Sequence, residues 1–249
     1  MLALPGFLAF LMRGFTAARC GVWNRIALSA RLIRVHLVVP CAHAPLALLS
    51  IVEEIVELPQ TTAGAVVECG AYLGGSTAKL SHAAAISKRR LIVCDSFEGL
   101  PPVRPEDHVE AQEDFEQAAF SGGLATVRSN VERYGRIGVV QFVPGWFQES
   151  LSRLERERIA CLWLDVDLQE SIRTCLGVLW KQLEPGAKVF VHDVDRPPVV
   201  APFQDLVFWR DVIGAAPPRF VGEGKGLGWQ RRLLGYAVKP VNQHGIRPR

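Results

Sequence analysis

From residue 65 onward the chain alternates two kinds of apolar pattern. Short, mainly apolar runs at 65–69, 91–95, 139–143, 160–165 and 188–192 read as strands buried on both faces. Between them, and once after the last, residues 76–87, 124–134, 148–156, 170–183 and 203–213 carry apolar positions at helical spacing. Continuous apolar strands alternating with amphipathic helices predict an α/β fold with a doubly wound, mostly parallel sheet. The tail differs: 219–221 and 233–238 flank Gly222, Gly224, Gly226 and Gly228, which predicts a closing antiparallel hairpin. Upstream, Leu46, Leu49, Val52, Ile55 and Val56 recur at helical spacing between Pro45 and Pro59. Residues 1–60 therefore read as an N-terminal helical extension, and 61–249 as one domain.

The composition narrows the function classes. Apolar content of 49% and charged content of 21% are those of an ordinary globular protein. A net charge of +3, with no basic run interleaved with aromatics, argues against nucleic acid as partner. Cys20, Cys41, Cys69, Cys94, Cys161 and Cys175 are scattered singly, which fits free thiols in a reduced, cytoplasmic setting. Residues 1–12 are nearly all apolar, and no acid occurs before Glu53, whereas Arg13, Arg19, Arg25, Arg31 and Arg34 do. That apolar stretch falls short of the roughly 20 residues a membrane-spanning helix needs. Its positive charge follows the apolar part, the reverse of a signal peptide. The extension is expected to pack on the domain or on a second subunit, giving a homodimer through the N-terminal helices. The alternative is a basic amphipathic segment lying on a membrane surface.

The stretch Val66-Val67-Glu68-Cys69-Gly70-Ala71-Tyr72-Leu73-Gly74-Gly75-Ser76-Thr77 has the layout of a strand, a tight turn and a helix N-terminus that a ligand can approach. The next run ends in Asp95-Ser96, placed to accept hydrogen bonds from ribose hydroxyls. Tyr72 stands where a dinucleotide fingerprint wants its second glycine and would crowd a pyrophosphate. Glu68 suits an ammonium better than a phosphate. A ribose, an ammonium and no phosphate describe S-adenosylmethionine. In open parallel sheets the ligand sits beyond the carboxyl ends of the strands. There the third run supplies Gly145-Trp146-Phe147, aromatic enough to flank an adenine, the fourth Asp165 and Asp167, and the fifth His192, Asp193 and Asp195. So many carboxylates at one edge are costly unless a cation or a substrate offsets them. Magnesium is one such cation; otherwise repulsion and burial would ready a carboxylate or His192 as a base. Asp167 and Asp195 read equally well as caps or loop acids, and His43 as a loop histidine before the helix at 46–58. The stretch 101–105, followed by Glu106, Asp107, Glu110, Glu113 and Asp114, reads as a polar loop or lid.

Several motifs then carry a family resemblance. Val67-Glu68-Cys69-Gly70 with Gly74-Gly75-Ser76-Thr77, Asp95-Ser96-Phe97-Glu98-Gly99-Leu100-Pro101, Pro144-Gly145-Trp146-Phe147, Leu164-Asp165-Val166-Asp167-Leu168 and Pro185-Gly186 resemble the macrocin O-methyltransferase family, over about 43–193. The resemblance implies a class I methyltransferase, Rossmann-like fold and S-adenosylmethionine as donor. It also implies transfer to a hydroxyl of a small metabolite, such as a sugar on a natural product. The cofactor-binding candidates are Glu68, Gly70, Tyr72, Gly74, Ser76, Thr77, Asp95, Ser96, Gly145, Trp146, Phe147 and Asp165, of which Glu68 and Gly70 would hold the methionine part, Asp95 the ribose, and Trp146 with Phe147 the adenine edge. Asp165, His192 and Asp193 are the catalytic candidates and the ligands of a magnesium ion. The family's Asp-Asp at the fifth strand reads His192-Asp193 here, so a metal-independent or nitrogen-directed enzyme is an alternative. A non-catalytic nucleotide-fold module, with a basic N-terminus for membrane or partner binding, is a second one.

Overall fold

Among the described residues seven strands form one sheet: β1 (Ala65–Cys69), β2 (Leu91–Asp95), β3 (Val140–Pro144), β4 (Ile159–Leu164), β5 (Leu183–Val191), β6 (Phe220–Val221) and β7 (Gly235–Val238). Their order is β3-β2-β1-β4-β5-β7-β6. β1 to β5 run parallel, and β7 lies antiparallel to both β5 and β6. This computed structural model describes residues 4–12, 21–109, 116–228 and 231–241. Arg13, Arg19, Cys20, Glu110, Glu113 and Asp114, named above, lie outside the described residues.

Alternation along the strands divides the core in two, as the two-residue period requires. Val66, Val93 and Trp163 join one cluster, under α2 (Val22–Val38), α3 (Pro45–Glu57), α4 (Gly75–Ile86) and α5 (Leu124–Tyr134). Val67, Ile92, Leu162 and Val189 join the other, under α7 (Gln169–Leu179) and α8 (Pro197–Gln204). The N-terminal helices therefore share the sheet's core: Phe10 of α1 (Leu4–Met12) and Leu28, Leu32 and Val35 of α2 are buried in the first cluster. Among the described residues no helix is long and apolar enough to cross a membrane.

Three expected helices come out differently. The run at 148–156 is a short helix, α6 (Phe147–Ser150), followed by a 3-10 turn (Leu151–Leu154) that buries Leu151 and Leu154 at its three-residue spacing. The run at 170–183 stops at Leu179, because the Lys239 ammonium donates to the carbonyls of Trp180, Lys181 and Leu183 and turns the chain into β5. The run at 203–213 breaks at Asp205, whose carboxylate accepts from the Val207 and Phe208 amides and starts α9 (Leu206–Phe208). α8 itself begins earlier than expected, on Pro197, a residue suited to a first turn. The topological switch point of this order lies between β1 and β4, and that is where a crevice opens.

Candidate active site

The register places the chemistry. Cys69, Cys94, Leu164 and Val191 are level across β2, β1, β4 and β5. One residue further stand Gly70, Asp95, Asp165 and His192. The amides of Gly70, Asp165 and His192 still donate to the neighbouring strand, each at 3.0 Å, so these positions are fixed by the sheet itself. Gly70 has φ +93, and a Cβ there would lie 1.9 Å from the Asp165 carbonyl oxygen. Only glycine lets β1 and β4 close up at this point. Just beyond the strand ends Tyr72, Phe97, Asp167 and Asp193 all take positive φ, between 48° and 60°. Non-glycine residues in this region cost on the order of 1 kcal/mol each, and such strain gathers at functional sites.

A cavity of about 530 Å³ opens over this edge, within the range of small-molecule sites. Gly70 and Tyr72 face it from the turn after β1, Ser76 from the first turn of α4, Asp95 and Ser96 from the end of β2, and Trp146 and Phe147 from the segment after β3. Asp165, Asp167, His192, Asp193 and Asp195 line its other side. Neither Asp167 nor Asp195 caps a helix: the N-cap positions of α7 and α8 are Leu168 and Arg196, neither of which makes a side-chain capping bond. Glu68, Gly74, Thr77 and Gly145 stand behind this wall and do not line it. Gly74 takes φ +82 to start α4, and Gly145 takes φ +127 to turn the chain after β3.

Electrostatics separate the acids. Asp95 is raised by burial, against the Phe97, Ala71 and Tyr72 amides that point at it; the Ala71 and Phe97 amides donate to its two oxygens at 2.6 Å. Each of those oxygens keeps a lone pair for a further donor. Glu68 is wholly buried, and burial pushes it up to about 8 although the Ser76 and Thr77 hydroxyls lie near enough to lower it. Among the described residues neither of its oxygens accepts a hydrogen bond of ordinary length. Asp165 behaves oppositely: burial would raise it, but His43 and His192 hold it well below the usual carboxylate range. Asp167 is raised well above that range by burial and by the charges of Asp165 and Asp193. Burial opposes protonation of both histidines, yet Asp165 raises His43 to about 9, and Asp165 with Asp193 raises His192 to about 11.

His43 is the correction to the expectation of a plain loop histidine. Its Nε2 meets Asp165 Oδ2 in a short hydrogen bond, and its Nδ1 lies 3.1 Å from Cys41 Sγ. Its ring stacks edge-on against Trp163 and His192. The Lys79 ammonium donates to the same sulfur at 3.2 Å. Burial pushes the Cys41 thiol up, but His43 and Lys79 outweigh it and bring it to about 6.

The macrocin-O-methyltransferase (TylF) family model matches residues 47–211. The chain belongs to this family. Among its curated relatives, a tetracenomycin 4'-O-methyltransferase of Streptomyces olivaceus, named for a dimethoxy-rhamnosyl substrate, is 33% identical over 175 residues. That match covers 67% of this chain and 66% of the relative. The mycinamicin III 3''-O-methyltransferase of Micromonospora griseorubida is 29% identical over 177 residues, 68% of each chain. The chain thus spans about two thirds of the length of these curated relatives. Of solved structures, the O-methyltransferase NovP superposes with a TM-score of 0.60 at 19% identity, covering 96% of this chain and 98% of NovP. Calicheamicin methyltransferase CalS11 gives 0.62 at 18% identity, covering 86% and 92%. At such identities the two structures speak for the class I fold. His43 and Cys41 lie before the segment this macrocin-O-methyltransferase family match covers.

Proposed function

We propose that the protein is an S-adenosylmethionine-dependent O-methyltransferase acting on a hydroxyl of a sugar carried by a small natural product. The observation that carries the donor is Glu68: a wholly buried carboxylate near the end of β1, just behind the cavity wall, whose oxygens lie near the Ser76 and Thr77 hydroxyls but accept no hydrogen bond of ordinary geometry among the described residues. A ligand ammonium would give it the partner it lacks. Asp95 is held by two backbone amides with lone pairs to spare for a ribose, and Trp146 and Phe147 offer flat apolar surface for a base. When bound, S-adenosylmethionine supplies an electrophilic methyl group on a sulfonium. The chain's own part is to hold the acceptor oxygen in line and to take its proton. The second task falls to the cluster of Asp165, His192 and Asp193, in which the His192 Nδ1 lies 3.2 Å from Asp165 and 3.0 Å from Asp193. The acceptor class rests on the curated relatives, both named as O-methyltransferases of natural products and one for a rhamnosyl-bearing substrate.

A divalent cation fits the same edge, where Asp165, Asp167 and Asp193 bring carboxylate oxygens within 4.8 Å of one another. Magnesium would take such an all-oxygen set, with water or the acceptor completing its shell. Bound there, a cation would lower the pKa of an acceptor hydroxyl.

Calorimetry with S-adenosylhomocysteine tests the donor assignment. Clear binding is expected in the wild type, and a loss of about tenfold or more in Asp95→Ala, the range for removing a hydrogen bond to a charged group. Equal binding in both proteins would sink the ribose role of Asp95. The reading extends to assembly: the outer face of α2 is proposed to pair with α2 of a second copy.

A further inference from the structure

Two sets of donors compete for a cation at this edge, and both contain Asp165. One is the all-carboxylate set of Asp165, Asp167 and Asp193; the other is His43, Asp165 and His192, whose donor atoms also lie within 4.8 Å of one another. Three features favour the second. Both histidines are buried, at 6% and 5% exposure, and already turn a ring nitrogen to Asp165: His43 Nε2 to Oδ2, His192 Nδ1 to Oδ1. Asp193 Oδ1 stands 3.0 Å from that same Nδ1, outside the three-donor set but hydrogen-bonded to it. Next, His43 Nδ1 faces Cys41 Sγ at 3.1 Å, which is itself held by Lys79. Such an outer partner on the second nitrogen is what orients a metal-binding imidazole. Last, His43, Asp165, His192 and Asp193 all face the cavity, which leaves coordination positions open toward a substrate.

We propose that His43, Asp165 and His192, with Asp193 beside them, form a divalent-metal site for a borderline ion of the zinc or cobalt class, in place of a magnesium site. Imidazole nitrogens suit such ions, whereas magnesium demands oxygen donors in near-octahedral array. The new ligand is His43, which the chain supplies from the segment between α2 and α3, outside the family match at 47–211. The ion's catalytic role rests on the O-methyl transfer proposed above; its binding does not.

The test uses the full chain, stripped of metal with a chelator and titrated with cobalt(II), zinc(II) and magnesium(II) by calorimetry, with visible absorption for cobalt. Cobalt(II) is expected to give ligand-field bands, and His43→Ala, His43→Gln and His192→Ala to weaken cobalt and zinc binding by about tenfold or more. Asp167→Asn should leave both within about twofold, a change of about 0.4 kcal/mol. Tight magnesium binding lost in Asp167→Asn and kept in His43→Ala assigns the ion to the carboxylates and overturns the proposal. Absence of any cobalt or zinc binding overturns it too. Calorimetry with S-adenosylhomocysteine on the same samples reports that each variant is folded and separates the two ideas. S-adenosylhomocysteine binding without metal binding sinks only this site, and the reverse sinks only the donor reading.

Discussion

Glu68 is the residue whose charge the proposed ligand would change most directly. Burial raises it to about 8, so near neutral pH it is mostly protonated in the free protein. An ammonium set beside it would stabilise the carboxylate and drive the proton off. Binding of S-adenosylhomocysteine at pH 7 should therefore release close to one proton, read by calorimetry in buffers of different ionisation enthalpy. The release should vanish in Glu68→Gln and fade above pH 8; an unchanged count in the variant would place the ammonium elsewhere. The histidines give a second dependence on pH. His43 and His192 are raised to about 9 and about 11 in the fold, against about 6.5 when exposed. Their contribution to stability is thus full below pH 6.5 and is lost as the pH rises through 9 to 11. Metal-free protein should melt at a lower temperature at pH 9.5 than at pH 7, and His43→Gln should narrow that gap. Asp95, Asp165, His192 and Asp193 were legible in the sequence because each follows an apolar run, and strand ends in a parallel sheet share one edge. His43 was not, because its partner Asp165 is 122 residues away and no local pattern joins them.

Elements were legible where a continuous apolar run or a helical period decided them, as in β1, β2, α5 and the hairpin of β6 and β7. They were not where a distant side chain ended a segment. Lys239 stops α7 from just past β7, far along the chain, and the break at Asp205 rests on a cap that reads like any surface acid. The loop after β2 shows the same limit. Its acids suggested a polar lid, yet Asp107 is 2% exposed, and its Oδ1 accepts from the Gln169 amide at 2.7 Å, at the first turn of α7. The Arg196 guanidinium also donates to the Asp107 carbonyl. Asp107 therefore pins the loop, which carries Leu100 and Pro101 on the cavity wall, to the helix behind the carboxylates. Asp107→Ala should cost about 1–2 kcal/mol, the range for losing a helix cap, seen as a shifted denaturation midpoint. It should also speed proteolysis within 100–120; unchanged cleavage there would show that the loop is held by other contacts.

At the scale of the molecule, α2 presents two apolar stripes on opposite faces. Leu28, Leu32, Val35 and Val39 face the core and are buried. Trp23, Ile26, Ala30, Ile33 and Leu37 recur at alternating spacings of three and four and face outward, with Trp23 79% and Leu37 77% exposed. A strict three-four repeat makes a narrow seam suited to one more helix. Ala30 lies at its centre, so an antiparallel α2 pair would place the smallest residue at a two-fold axis, where two helices approach closest, with each Trp23 over the partner's Leu37. Antiparallel pairing also sets the two helix dipoles against each other. Sedimentation velocity over a range of concentrations should show a dimer, and Ile26→Glu with Ile33→Glu should yield a folded monomer that still binds S-adenosylhomocysteine. The flanking Arg31 and Arg34, and the lack of any acid before Glu53, define the competing outcome. A wild type that stays monomeric and pellets with vesicles containing anionic lipid, with loss of pelleting at high salt, would replace the second copy by a membrane surface.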